Sequence, residues 1–167
     1  MLLVVDFQAR LMPAIHDGPA AVTNARRLLD IAALLGVPAL ATEQNAGGLG
    51  PTVPALAEGL AVLHKMTFDA CRAPGFLDAL PDGAEVVVVG CEAHVCVLQT
   101  VLGLLDDGLR AVVVTDAIGS RDPANAAAAV ERMARHGAEV VTSEMVLFEW
   151  LGDAAHPRFR EVQKLLR

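Results

Sequence analysis

Three residues have the chemistry of a base, a cation and a nucleophile, and each follows a short apolar run. Asp6 closes Leu2-Leu3-Val4-Val5, Lys65 closes Ala61-Val62-Leu63-His64, and Cys96 comes shortly after the four valines at 86–89. Taken singly, each has a plainer reading. Asp6 could be a structural carboxylate or an N-cap, Lys65 a lysine snorkelling off a strand end, and Cys96 a small buried hydrophobe. Together, at one edge of one sheet, they make a catalytic set. The thiolate of Cys96 is the nucleophile. Asp6 accepts the thiol proton and later delivers it. The Lys65 charge and a helix N-terminus are expected to lower the thiol pKa.

The rest of the chain is organised to hold such an edge. Apolar runs at 2–6, 37–42, 61–65, 84–89, 111–115 and 138–142 read as strands. They are apolar throughout rather than alternating, as parallel strands buried on both faces require. Helical patterns lie between them. One covers 19–35 and stops at Gly36, and another covers 97–105. A third starts at Asp122-Pro123, an N-cap followed by proline at the first helical position, and runs to His136-Gly137. Shorter helices are expected around 76–80 and at 158–166, and the glycine-rich stretch 44–52 reads as the one substantial loop. Strand–helix alternation predicts a mostly parallel α/β sheet with helices on both faces, in a single domain over 1–167. Ligands of such sheets bind beyond the C-terminal strand ends, where strand order reverses.

Composition removes several classes. With 167 residues, 54% hydrophobic and 20% charged, the chain is neither disordered nor in need of a metal or disulfide staple. No apolar run approaches the ~20 residues of a membrane helix, so no membrane partner is expected. The net charge is −7 and only 4% of residues are aromatic, which disfavours nucleic-acid binding. Cys71, Cys91 and Cys96 are an odd count without a CxxC pair, so neither a disulfide framework nor a zinc site is expected. The N-terminus lacks the basic region of a signal peptide, and the expected location is the cytoplasm. A mean hydropathy of +0.46 in a short chain predicts a homo-oligomer.

Val4-Val5-Asp6-Phe7-Gln8, Lys65 after the third run, and Gly90-Cys91-Glu92-Ala93-His94-Val95-Cys96-Val97 resemble the isochorismatase-like cysteine hydrolases. Thr42-Glu43-Gln44, Gly48-Leu49-Gly50-Pro51-Thr52 and Gly152-Asp153-Ala154-Ala155-His156-Pro157 are similar to the isochorismatase-domain-containing subgroup. The resemblance covers nearly the whole chain. It implies a three-layer α-β-α sandwich whose six-stranded sheet has the order 3-2-1-4-5-6. It also implies Asp6, Lys65 and Cys96 as a catalytic triad and a non-proline cis peptide between Cys91 and Glu92. An oxyanion hole would come from the N–H groups of Glu92 and Cys96. Nicotinamidases carry an Asp-x-His metal motif after the second strand. Here that position reads Thr42-Glu43-Gln44-Asn45, so neither a metal nor any other cofactor is expected. The thiol at 96 favours acyl transfer at a C–N bond of a small amide-like substrate over cleavage of a vinyl ether.

Gln8, Glu43 and Phe68 are the candidate pocket residues, against plainer roles as a turn cap, a surface or capping carboxylate and a core aromatic. His94 lies too close to Cys96 on a tight turn to serve as its base. Arg10, Arg72 and Arg121 lie on loops near strand ends, and the sequence does not select among them. Three other functions remain open at this point: a catalytically silent oligomeric interaction module, a thiol sensor using Cys91 with Cys96, and an ether hydrolase.

Overall fold

The computed structural model describes residues 1–166. Strands β1 Leu2–Val5, β2 Ala39–Gln44, β3 Ala61–Lys65, β4 Glu85–Cys91, β5 Arg110–Gly119 and β6 Glu139–Val141 form one sheet in the order β3-β2-β1-β4-β5-β6. Every neighbouring pair is parallel. The helices are α1 Gly18–Leu35, α2 Ala46–Leu49, α3 Pro54–Ala57, α4 Leu98–Asp106, α5 Pro123–Arg135, α6 Ser143–Leu151 and α7 Phe159–Leu165. No helix among the described residues is long and apolar enough to cross a membrane.

The unbroken apolar runs are explained by two cores, one on each face. Leu2, Val4, Val87 and Val89 pack with Leu28 and Ile31 of α1, Leu147 of α6 and Val162 of α7. Leu3, Val5, Val86 and Val88 pack with Val101 and Leu104 of α4 and Met133 of α5. The four valines of β4 therefore divide two and two between the faces. Burying each contributes ~1.5–3 kcal/mol, before conformational entropy is set against it.

Helix punctuation follows the local chemistry. Gly36 ends α1 at φ 73°, a left-handed conformation that costs glycine little. The Asp122 side chain accepts the Ala124 N–H at 2.8 Å and starts α5. The sequence offers little signal for α6, because Ser143–Leu151 is apolar on most of its sides and shows no clear stripe. Its start is fixed from a distance: Asp116 of β5 accepts the Ser143 N–H at 2.8 Å and the Ser143 hydroxyl at 2.6 Å. The stretch 44–52 is not open loop throughout, since α2 occupies part of it.

Strand order reverses between β1 and β4, and these two strands approach closely where the site lies. Val5 is paired with Gly90. A Cβ at Gly90 would stand 2.2 Å from the Val5 carbonyl oxygen, and φ there is +144°. Only glycine fits. The close approach brings Asp6, just past β1, beside the segment that follows β4.

Candidate active site

Asp6 is fully buried and has a positive φ of 52°, which turns the chain off β1. Its carboxylate is held from two sides. Lys65 Nζ donates to Oδ2 at 2.7 Å, and the Thr42 hydroxyl donates to Oδ1 at 2.7 Å. Thr42 ends up there because β2 runs parallel to β1 with Thr42 opposite Val5.

Lys65 does not snorkel. Its side chain is wholly buried, and its other two donors go to the carbonyls of Thr67 at 3.1 Å and Phe68 at 3.3 Å. All three N–H groups therefore have acceptors, as a buried ammonium requires. The segment that supplies those carbonyls is tied to the helix after the thiol. The Thr100 hydroxyl accepts the Ala70 N–H at 3.0 Å and reaches the Phe68 carbonyl at 3.5 Å.

Cys96 sits in a π-helical turn, Ala93–Val97, that leads into α4. Wide turns of this kind are frequent at functional sites. Cys96 is 7% exposed. Burial, and then the neighbouring Asp6 carboxylate, hold its thiol above the ordinary value, while Lys65 pulls the other way. This corrects the expectation that the cation and the helix end would lower the thiol pKa. Cys71 and Cys91 are pushed up to about 12, chiefly by burial.

The peptide between Cys91 and Glu92 is cis. The Glu92 carboxylate is engaged by Arg121, accepting the Arg121 backbone N–H and Nε at 3.0 Å each. Burial would raise the Glu92 pKa, but these hydrogen bonds and the guanidinium charge outweigh it and hold the carboxyl below its ordinary value. His94 Nδ1 meets the Ser120 hydroxyl at 2.9 Å. The loop after β5 thus fastens the nucleophile turn through Ser120 and Arg121.

The structure gives Gln8 and Glu43 bracing roles. Gln8 is fully buried, donates to the Gly50 carbonyl at 2.7 Å and accepts the Gln44 N–H at 2.9 Å. Glu43 accepts the Thr52 N–H at 2.6 Å and hydroxyl at 2.8 Å, with His64 at 3.3 Å on its other oxygen. Phe68 is 48% exposed, so it is not a core aromatic. It borders a groove of about 430 Å³ with Thr67, Asp69, Arg72 and Gln99. A cavity of about 360 Å³ opens beside Lys65, lined by Ala46, His64, Met66, Ala73 and Pro74. Arg10 is spent on the carbonyls of Gly47 and Gly48, and Arg72 pairs with Asp69. No cluster of three or more His, Cys, Asp or Glu side chains suited to a metal occurs among the described residues.

A buried Asp–Lys pair thus lies beside a thiol at the switch point of a 3-2-1-4-5-6 sheet. The Isochorismatase domain matches residues 1–145. The chain belongs to the isochorismatase family.

Within the isochorismatase family, the Macaca fascicularis isochorismatase domain-containing protein 2 is 44% identical over 169 residues, covering 100% of this chain and 82% of that one. A Caenorhabditis elegans structure described as MAR1 ribonuclease superposes with a TM-score of 0.94 at 43% identity, covering 99% of this chain and 88% of that one. The Escherichia coli YcaC product, described as an octameric hydrolase of unknown specificity, gives 0.84 at 25% identity, covering 98% and 91%. Sequence reasoning proposed Asp6, Lys65 and Cys96 as the reacting groups and assigned no role to Thr42 or Thr100. Both are neutral residues whose part is visible only once two elements meet.

Proposed function

We propose that the protein is a cysteine hydrolase cleaving the C–N bond of a small amide-like substrate through a thioester. The observation that carries this reading is the buried Asp6 carboxylate, neutralised by Lys65 at 2.7 Å and acting electrostatically on the Cys96 thiol. A thiol that stays protonated at rest needs a base beside it at the moment of attack. Asp6 takes the Cys96 proton as the sulfur–carbon bond forms. The developing oxyanion is received by the N–H groups of Glu92 and Cys96. Asp6 then gives the proton to the leaving nitrogen and the C–N bond breaks. Water donates a proton to Asp6 and attacks the thioester. The acid leaves, and the proton returns to the sulfur.

Lys65 faces the Asp6 carboxyl group throughout the cycle and is itself held by two carbonyls, so it stays fixed. The groove beside Phe68 and the cavity beside Lys65 are the proposed approach for substrate. With a net charge of −7, a small uncharged molecule suits the protein better than a polyanion such as RNA. The working form is a homo-oligomer in the cytoplasm, where thiols stay reduced. A panel of small primary amides and ureas, read by release of ammonia or amine, tests the reading. Turnover by the wild type and its loss in Cys96→Ala are expected; full turnover by Cys96→Ala would overturn it.

A further inference from the structure

We infer that Thr42 is a positioning residue for the general base, its hydroxyl fixing the Asp6 carboxylate in the orientation that receives the Cys96 proton. The inference rests on the hydrolase reading above and adds a residue to it.

A carboxylate has two oxygens and can rotate about its Cβ–Cγ bond, a soft torsion. Lys65 alone would hold only Oδ2. A lysine is a point charge with rotatable donors and does not by itself fix a plane. The second contact comes from Thr42, at 2.7 Å on Oδ1. With both oxygens held, the plane of the carboxylate is set and its remaining lone pairs have defined directions.

Thr42 is suited to this. It is fully buried. It sits on β2, whose register against β1 is fixed by four paired residues. The β-branched side chain is stiff at χ1. The adjoining backbone is also tied, since the Asp6 N–H donates to the Thr42 carbonyl at 3.1 Å. Thr42 therefore fastens Asp6 at both main chain and side chain.

The titratable groups facing Asp6 are Lys65 from β3, Cys91 at the end of β4, and Cys96 on the nucleophile turn. Asp6 and Cys96 share a site, so attack by the thiol depends on whether the carboxylate is free to take its proton. The pair carrying two protons is unreactive. The pair carrying one proton holds both base and nucleophile. Rising pH therefore switches on Cys96 reactivity along an acid limb. Removing a hydrogen-bond donor from a carboxylate raises its proton affinity, so losing Thr42 moves that limb upward.

The test is the pH profile of Cys96 alkylation by iodoacetamide, mapped by mass spectrometry, in wild type, Thr42→Val, Thr42→Ser and Asp6→Asn. Valine keeps the shape and removes the hydroxyl, while serine keeps the hydroxyl. The acid limb is expected to move up by roughly one pH unit in Thr42→Val, the size of one hydrogen bond to a charged group, and to return towards wild type in Thr42→Ser. A purely structural role would lower reactivity at every pH, or lower the melting temperature, and leave the midpoint in place. An unmoved midpoint in Thr42→Val, with the limb abolished in Asp6→Asn, overturns the inference and leaves the hydrolase reading standing. A limb unchanged in Asp6→Asn removes Asp6 as the base, and the inference falls with it. If Thr42→Val fails to fold, an upward shift in Thr42→Ala, or its absence, decides the same point.

Discussion

Lys65 Nζ and Asp6 Oδ2 lie 2.7 Å apart, with both side chains wholly shielded from solvent. The two charges exist only as a pair, because either alone would be stranded in the core. Lys65→Met should therefore destabilise the fold by about 3–5 kcal/mol, read from urea unfolding. The double variant with Asp6→Asn should recover part of that loss, since the two sites are in contact. Unfolding of Lys65→Met at the wild-type urea concentration would mean the pair is not buried in solution.

Stability should fall on the alkaline side. Cys91 is held up to about 12 from 9.0, mainly by burial. Between those values the unfolded chain has given up a thiol proton that the folded chain keeps. The contribution is complete below 9.0 and is lost as pH rises towards 12. The slope from one such thiol is about 1.4 kcal/mol per pH unit. Urea midpoints measured across pH 8–10.5, at about half-unit steps, should fall less steeply in Cys91→Ala than in wild type.

The architecture was legible because it is written in local terms. The four valines at 86–89, Gly36 and Asp122-Pro123 each announce an element through their own residue types. The candidate triad could be proposed for a related reason, as ionisable residues at the ends of apolar runs have few plain explanations when three occur together. Helix α6 was not, because a segment apolar on most sides carries no period, and its cap, Asp116, lies on another strand. The thiol's resting state was also hidden. It depends on how much desolvation offsets one cation, and burial depth is a property of the packed molecule.

Gln8 braces the end of β2 and the stretch after it, through a buried hydrogen bond to the Gly50 carbonyl and a partly buried one from the Gln44 N–H. Gln8→Ala leaves both partners unmatched and should cost roughly 2–4 kcal/mol. Faster proteolysis near 45–52 should accompany the loss. Limited proteolysis with mass mapping checks this, and an unchanged digestion pattern would count against the bracing role.

Gly90→Ala should be among the most damaging single changes in the chain. The added methyl would stand 2.2 Å from a backbone oxygen that cannot swing aside, at a φ that L side chains rarely adopt. A loss of more than about 4 kcal/mol is expected. Thermal unfolding reads it directly, and a wild-type melting temperature would show that β1 and β4 do not approach this closely.

The claim that Asp6 activates Cys96 is tested most directly by alkylation rates at neutral pH. Iodoacetamide would be applied to wild type and Asp6→Asn, and the rate followed separately at Cys71, Cys91 and Cys96. Although its thiol is held up at rest, Cys96 should react fastest of the three in wild type. Removing the base in Asp6→Asn should slow it by about a hundredfold and leave the other two unchanged. A Cys96 that reacts no faster than Cys91, or reacts equally in both proteins, would contradict the account.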